Sequence, residues 1–314
     1  MKHKLKIAVY SGVIPSTTFI ERLIKGLSES GINIYLFGLV KEKVSYNTSV
    51  FSVTYRNTII QKGLHLITYS FLLFCFKFKK KQKLDGILKG QSKNLLLAKV
   101  KCYPVLWHNP DIFHVQWAKG LDDWMWVKEF GIKLVLSLRG AHINYSPIAD
   151  LKLADMYRKN FPKVDAFHAV SKAIALEAQK YGAQKSNISV VYSGLDLDAN
   201  PSLKPTDTAI FQIISVGRSH WIKGYTYALD ACKILKDHNI NFRYTIVGGA
   251  HDIELAYQVH DLNLQEEVSL LNKMPFSRVQ ELMKTSNLLL LPSVKEGVAN
   301  VVLEAMALGT PVLS

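Results

Sequence analysis

The sequence predicts an α/β protein of two Rossmann-like lobes, each a mainly parallel sheet covered by helices. Three observations carry that expectation. Short apolar runs of strand length alternate with segments whose apolar residues recur at helical spacing, the pattern of a sheet buried on both faces. A chain of 314 residues exceeds what one ordinary core serves. After a stretch rich in Pro and turn residues over 199–208, the alternation restarts with a buried strand. The expected division is therefore an N-terminal lobe of residues 1–198 and a C-terminal lobe of 199–314.

The first strand is expected over 4–10, followed by a turn at 11–15 and a helix from about 16 or 17. Phe19, Ile20, Leu23, Ile24 and Leu27 share one face of that helix, and Gly31 stops it. Further strands are read over 33–40, 49–55 and 133–138, and one from Pro110 ends between His114 and Trp117. A strand over 164–171 leads through Ser171, a candidate N-cap, into a helix over 172–181, and 187–192 closes the first lobe. The second lobe reads as a strand over 209–216, a helix over 225–237, a strand over 242–247, a helix over 253–262 and a strand over 268–271. A strand over 287–291, a helix from about 300 to Gly309 and a strand after Pro311 complete it.

Composition narrows the class. A hydrophobic share of 48% with 20% charged residues excludes a disordered chain. Cys75, Cys102 and Cys232 lie far apart with no ligand-like spacing, so they are expected as reduced thiols rather than a disulfide framework or zinc site. The N-terminus has only a strand-length apolar run before Ser11, which is no signal peptide, and no 18 uninterrupted apolar residues occur. A cytoplasmic protein is expected.

The net charge is 39 − 25 = +14, and residues 41–101 hold thirteen Lys/Arg against Glu42 and Asp85, a local +11. Within that region an apolar run over 64–76 adjoins Lys77, Lys79, Lys80, Lys81 and Lys83. The combination fits a helix lying in an anionic headgroup layer, each lysine contributing about 1 kcal/mol. A buried helix followed by a solvated basic one is the alternative. No recognition motif accompanies the charge, so nucleic acid is not an expected partner.

Candidate site residues fall at strand ends. Gly12 follows the first strand, either as a phosphate-approach glycine or as a turn glycine; no Gly-x-Gly-x-x-Gly is present. Arg139-Gly140 closes the strand over 133–138. Arg218 and Lys223 flank the turn Gly217 to Gly224, where a diphosphate would meet two cations and free helix N–H groups. Glu296 lies just before the last helix and Glu304 about one turn inside it, while the amides of Gly297, Val298 and Ala299 favour an anion.

The run Glu296-Gly-Val-Ala-Asn-Val-Val-Leu-Glu-Ala-Met-Ala-Leu-Gly-Thr-Pro-Val closely resembles the nucleotide-sugar motif of the retaining family-4 glycosyltransferases. Val216-Gly-Arg, four residues, then Lys-Gly resembles that family's diphosphate clamp, and the likeness spans nearly the whole chain. It implies a GT-B architecture with a cleft between the lobes, a domain change near 199, and transfer from a nucleoside-diphosphate sugar with retention of configuration. It implies that Glu296 touches the sugar, Glu304 holds the ribose, and Arg218 with Lys223 replaces a divalent ion, so no metal or other cofactor is expected. Gly12 would line the diphosphate, Arg139 would lie near the sugar, Met274 in Leu271-Asn-Lys-Met-Pro would lie near the base, and Gly217, Gly297, Val298, Ala299 and Asn300 would complete the donor pocket.

Three departures stand out: Thr17, an acceptor-side position where the family usually has Glu; His142, where an acid is usual after Arg139-Gly140; and no Phe-x-Gly before Met274. The base therefore stays open. The acceptor is expected to be lipid-linked or a polysaccharide, with the protein peripheral on the inner face of the cytoplasmic membrane. Because the family continues with a strand and helices, a chain ending at Ser314 is expected to be a fragment or incomplete by family standards. A GT-B nucleotide-sugar epimerase and a non-catalytic nucleotide-sugar or membrane-surface binding protein remain as alternatives.

Overall fold

The computed structural model describes residues 4–91, 94–195 and 210–314. Its contacts divide the chain into two compact units, Met1–Tyr192 and Ser193–Ser314. The expected linker over 199–208 lies outside the described residues.

In the first unit the strands are β1 (Lys6–Ile14), β2 (Asn33–Val40), β3 (Val50–Tyr55), β4 (Ile112–Val115), β5 (Lys133–Leu138), β6 (Ala166–Ala169) and β7 (Ile188–Val190). They form one sheet in the order β3-β2-β1-β4-β5-β6-β7, with every neighbouring pair parallel. Its helices are α1 (Thr18–Glu29), α2 (Ile59–Phe76), α3 (Phe78–Gln91), α4 (Leu95–His108), α5 (Ala141–Asn144), α6 (Ser146–Ala149), α7 (Leu151–Asn160) and α8 (Lys172–Gln179). Ile20 and Ile24 of α1 bury against Ile7, Val9, Ile34 and Leu36, as the helical spacing requires.

One element differs from expectation, and one, α4, is a segment for which none was made. β1 continues past Tyr10 through an irregularity in register and pairs Gly12 with Gly38 and Ile14 with Val40, so Gly12 lies within the strand rather than in a turn. The extension follows β2, whose residues to Val40 offer continuous parallel partners. α4 carries Pro104 inside it, a residue that argues against a helix from sequence alone. It forms because Val100, Tyr103, Val105 and Leu106 bury fully, Asn94 caps its start and Asn109 ends it at φ +46°.

α2 resolves the alternative left open for the apolar run. The helix starts five residues earlier than the run, reaches 18 residues with mean hydropathy 1.4, and is only 6% buried, so it is not a core helix. By length and composition it could cross a membrane, yet one face packs on the unit. Leu73 is fully buried, and the Tyr69 hydroxyl lies 3.2 Å from His108 Nε2 on α4.

In the second unit β8 (Phe211–Val216), β9 (Phe242–Val247), β10 (Val268–Leu271), β11 (Leu288–Leu290) and β12 (Val312–Leu313) form a parallel sheet in the order β10-β9-β8-β11-β12. α9 (Tyr225–Asp237), α10 (Ile253–Asp261), α11 (Phe276–Thr285) and α12 (Asn300–Ala307) connect the strands. One apolar cluster joins Leu229, Phe242, Tyr244, Ile246 and Leu264; a second joins Ile214, Val279, Met283, Leu289 and Ala305. In both sheets the strand order reverses beside the first strand, between β1 and β4 and between β8 and β11. Open parallel sheets bind ligands at the carboxyl ends of such reversal points.

Candidate functional site

At the reversal point of the second unit, two missing side chains allow the turn after β8 to touch its neighbours. A Cβ on Gly248, which has φ +101°, would stand 2.4 Å from the Gly217 carbonyl oxygen. A Cβ on Gly224, at φ +63°, would stand 2.1 Å from the Pro292 carbonyl oxygen. Only glycine permits both approaches. The contacts are then tied: Ser219 N–H donates to Gly248, Val294 N–H donates 2.8 Å to the Ile222 carbonyl, and the Tyr225 hydroxyl donates to Gly217. The Ser219 hydroxyl bonds Asp252, which caps α10. Burial works upward on the Asp252 carboxyl, but the Ser219 hydroxyl and the Leu255 and Glu254 amides outweigh it and hold its pKa below the ordinary value.

This lacing brings Lys223 and Glu296, 73 residues apart, into an ion pair of 2.6 Å. Burial and the nearby Glu296 charge push the Tyr225 phenol up, so it stays a neutral hydrogen-bond donor. Arg218 is exposed and forms no ion pair among the described residues. α12 has Ala299 as its N-cap residue and no side-chain cap, which leaves the Asn300 and Val301 N–H groups open after Gly297 and Val298. The oxygens Ser293 Oγ and Asn300 Oδ1 are buried there without a hydrogen-bond partner. Glu304 is half-buried on α12, four residues past its start. Met274 packs beside Val301 and Val302 on the cluster of Val279, Met283 and Leu289, so it is shared with the core. The site thus combines an exposed guanidinium, an ammonium paired with a carboxylate, and a helix N-terminus without a side-chain cap, which together suit a polyanion.

The reversal point of the first unit is different in kind. Gly12 has φ +88° and open space where a side chain would be, so backbone approach is unobstructed. Thr17 is exposed and makes no capping bond; Ser16 N–H instead donates 2.6 Å to Glu21. Arg139 lies with its guanidinium 4.2 Å from the Phe19 ring centre and donates from Nη2 to Gln116 Oε1 at 3.0 Å. Burial lowers its pKa to about 10.

Beneath it a polar chain runs through the strands: Ser137 Oγ lies 2.9 Å from His114 Nε2 and 3.1 Å from His168 Nδ1, and His168 Nε2 lies 3.1 Å from the Val191 carbonyl. The carbonyl can only accept, so His168 donates from Nε2 and accepts at Nδ1 from Ser137, which accepts from His114. Both rings are neutral. Burial, then His168 and Arg139, lowers the His114 pKa to about 3, and burial lowers that of His168. Gln116 Nε2, Arg139 Nε and Nη1, and His142 Nδ1 remain buried without partners. His114, Gln116, Ser137 and His168 escaped the reading of motifs; polar residues inside otherwise apolar strands were the available signal.

The lysines of 77–83 differ in their surroundings. Lys77 donates 2.7 Å to the Trp107 carbonyl, with burial and the charges of Lys80 and Lys6 holding its pKa down. Lys81 pairs with Asp85 at 2.9 Å and Lys83 with Glu129 at 3.3 Å, whereas Lys79 and Lys80 are exposed outside any ion pair among the described residues. Among the described residues no three His, Cys, Asp or Glu side chains converge as metal ligands would.

Residues 16–199, more than half of the chain, match the sequence model of Glycosyltransferase Family 4, and residues 199–314 match that of Glycosyl transferases group 1. The chain is 26% identical over 236 residues to a putative colanic acid biosynthesis glycosyltransferase, WcaL, of Escherichia coli, covering 72% of this chain and 58% of that protein. It is 28% identical over 192 residues to the amylovoran biosynthesis glycosyltransferase AmsK of Erwinia amylovora, covering 56% and 47%. It thus spans about half the length of these curated relatives.

Among solved structures, sucrose-phosphate synthase from Thermosynechococcus elongatus superposes with a TM-score of 0.73 at 14% identity, covering 98% of this chain and 80% of that one. Anabaena HepE, solved with UDP and glucose, gives 0.70 at 17% identity with the same coverages. These likenesses, with the two parallel sheets, show the two-lobed GT-B fold.

Proposed function

Because this chain belongs to Glycosyltransferase Family 4, we propose that it moves a sugar from a nucleoside diphosphate to an acceptor, with retention of configuration and without a metal ion. The observation that carries the reading is the Lys223–Glu296 pair beside the uncapped start of α12, at the reversal point of the second sheet. Departure of the nucleotide places negative charge on its terminal phosphate. Arg218, Lys223 and the α12 amides stabilise that charge, the role a divalent ion would otherwise fill. Glu304 hydrogen-bonds the ribose hydroxyls. Glu296, released from Lys223 by the incoming phosphate, turns to the sugar hydroxyls. The names of the relatives favour an exopolysaccharide pathway, and hence a saccharide or lipid-linked acceptor at the inner, anionic membrane surface. HepE holds UDP, which makes UDP the first nucleotide to test.

The test is thermal stabilisation by UDP, GDP and ADP, in the chain itself and in Arg218→Ala and Glu304→Ala. One nucleotide at about a hundred times its dissociation constant should add about 2.7 kcal/mol, and both substitutions should weaken the effect. Stabilisation by none of the three in a folded chain would refute the nucleotide site. Loss of transfer in EDTA would refute the metal-free mechanism.

A further inference from the structure

The outer face of α2 is a continuous apolar stripe. Ile60, Leu64, Ile67, Phe71 and Phe74 recur at spacings of four and three, and Phe78 at the start of α3 continues them. At 100° per residue they fall within about 40° of one line, a ridge roughly 21 Å long from Ile60 to Phe74. These six side chains are 46–74% exposed. The opposite face carries Lys62, His65, Tyr69 and Leu73; His65 and Tyr69 pack against Tyr55 and His108, and Leu73 is fully buried. The helix therefore turns His65, Tyr69 and Leu73 toward the protein and most of its large apolar side chains outward, unlike an ordinary surface helix.

We propose that this stripe is a membrane-docking surface that lies in the headgroup layer of an anionic bilayer, parallel to its plane. Charge selects this occupant. Between Arg56 and Gln91 there are eight Lys/Arg and a single acid, Asp85. That carboxylate is consumed by Lys81, Lys99 and the Tyr103 hydroxyl, so among the described residues α2 and α3 carry no acid outside an ion pair. Arg56 precedes one end of α2, with Lys62 in its first turn on the opposite face, and Lys79 and Lys80 follow its other end on α3. An apolar ridge with cations at both ends matches acyl chains under anionic headgroups. A spanning orientation is disfavoured because it would strip Leu73 and Tyr69 from their partners and bury Lys62. The inference deepens the transferase reading, on which its purpose rests: it names the face that would bring the first lobe to a lipid-linked acceptor.

The experiment is sedimentation of the 314-residue chain with vesicles of phosphatidylcholine alone and of phosphatidylcholine with phosphatidylglycerol, with UDP-dependent melting measured on the same samples. The chain should partition preferentially onto the anionic vesicles. Phe71→Glu/Phe74→Glu should lower that partition on the order of tenfold or more, and Lys79→Glu/Lys80→Glu should erase the preference for anionic lipid. UDP-dependent melting should stay unchanged in the phenylalanine variant; Phe71→Ser/Phe74→Ser is the substitute if the glutamates prevent folding.

No vesicle binding by the parent chain, or undiminished binding by both phenylalanine variants, overturns the proposal. So does a concentration-dependent dimer, seen by light scattering and dissolved by the same substitutions, in a chain that ignores vesicles; the stripe would then be a seam between copies. Stripe-dependent vesicle binding without any response to nucleotide supports the docking surface and removes the transferase reading instead.

Discussion

Substituting Glu296 by Gln should strengthen nucleotide binding while weakening transfer. The carboxylate sits 2.6 Å from Lys223, with 30% and 21% of the two side chains exposed, so solvent screening limits the pair to about 1 kcal/mol of stability. The variant should therefore fold normally and melt only a few degrees lower. In the nucleotide-free protein that same 1 kcal/mol opposes capture of Lys223 by a phosphate. Removing it should tighten UDP by up to about fivefold. Glu304→Ala should act in the opposite direction: losing a charged hydrogen bond worth about 1.5–3 kcal/mol weakens UDP roughly tenfold to a hundredfold.

Titration calorimetry with UDP on the three proteins reads both signs directly. With the intact sugar nucleotide, Glu296→Gln should lose transfer rate, because the carboxylate that leaves Lys223 is the one assigned to the sugar. If Glu296→Gln weakens UDP as much as Glu304→Ala does, the competition is wrong and Lys223 does not take the phosphate.

Three further outcomes follow from the packing. Gly248→Ala places a Cβ 2.4 Å from the Gly217 oxygen at φ +101°, and should cost about 2–3 kcal/mol in urea unfolding while abolishing UDP stabilisation; unchanged stability would mean the turn is looser than it looks. Lowering the pH should destabilise the first unit. His114 has a pKa of about 3 in the folded chain, so below about 6.5 the unfolded chain takes up a proton that the folded one refuses, removing about 1.4 kcal/mol per pH unit until the folded pKa is approached. His142 and His108, each lowered to about 4 by burial first, act in the same direction, and a urea midpoint that does not fall between pH 7 and pH 5 would contradict all three. Leu73→Ala should cost about 2–3 kcal/mol, because this side chain anchors α2 to its unit; no cost would imply that α2 does not pack there in solution.

Much of the architecture was legible because parallel strands buried on both faces are written as local apolar runs. β2, β5, β8, β9 and β10 need nothing beyond their own residues to be found. α4 was not legible, because the interior Pro104 argues against a helix and only the burial of Tyr103 and Leu106 overrides that preference. α11 was missed because Val279 and Met283 give a single buried face in a short, mostly polar stretch. The outward stripe of α2 could not be assigned to a side from periodicity, since apolar residues occupy both faces and packing against α4 and Tyr55 decides which turns inward. At the site, Arg218, Lys223, Glu296 and Glu304 stood out by residue type and spacing. The pairing of Lys223 with Glu296 did not, because it depends on the close approaches at Gly224 and Gly248, which are tertiary. The chain from His114 to Ser137 and His168 was hidden for the same reason: each residue reads singly as one polar interruption in a strand.

That polar array leads to a test separating structure from function in the first unit. Arg139 Nε and Nη1 and Gln116 Nε2 are buried without partners, and an unsatisfied buried donor costs about 1–3 kcal/mol, more for a charged one. The Phe19 ring on the guanidinium returns only part of that cost. Replacing the pair together, Arg139→Met with Gln116→Leu, removes the guanidinium charge and the unpaired amide while keeping much of the volume. If the array exists to hold the fold, this double substitution should destabilise the unit by more than about 2 kcal/mol, as the loss of a satisfied buried network does. If it exists to present donors to a ligand at the carboxyl ends of β4 and β5, stability should be unchanged or higher, while transfer falls and UDP binding in the second unit stays intact. The unpaired donors favour the second outcome. Arg139→Met alone should be the less stable protein, since it leaves Gln116 Oε1 without its 3.0 Å bond; a single variant as stable as the double one would show that the two residues are not coupled.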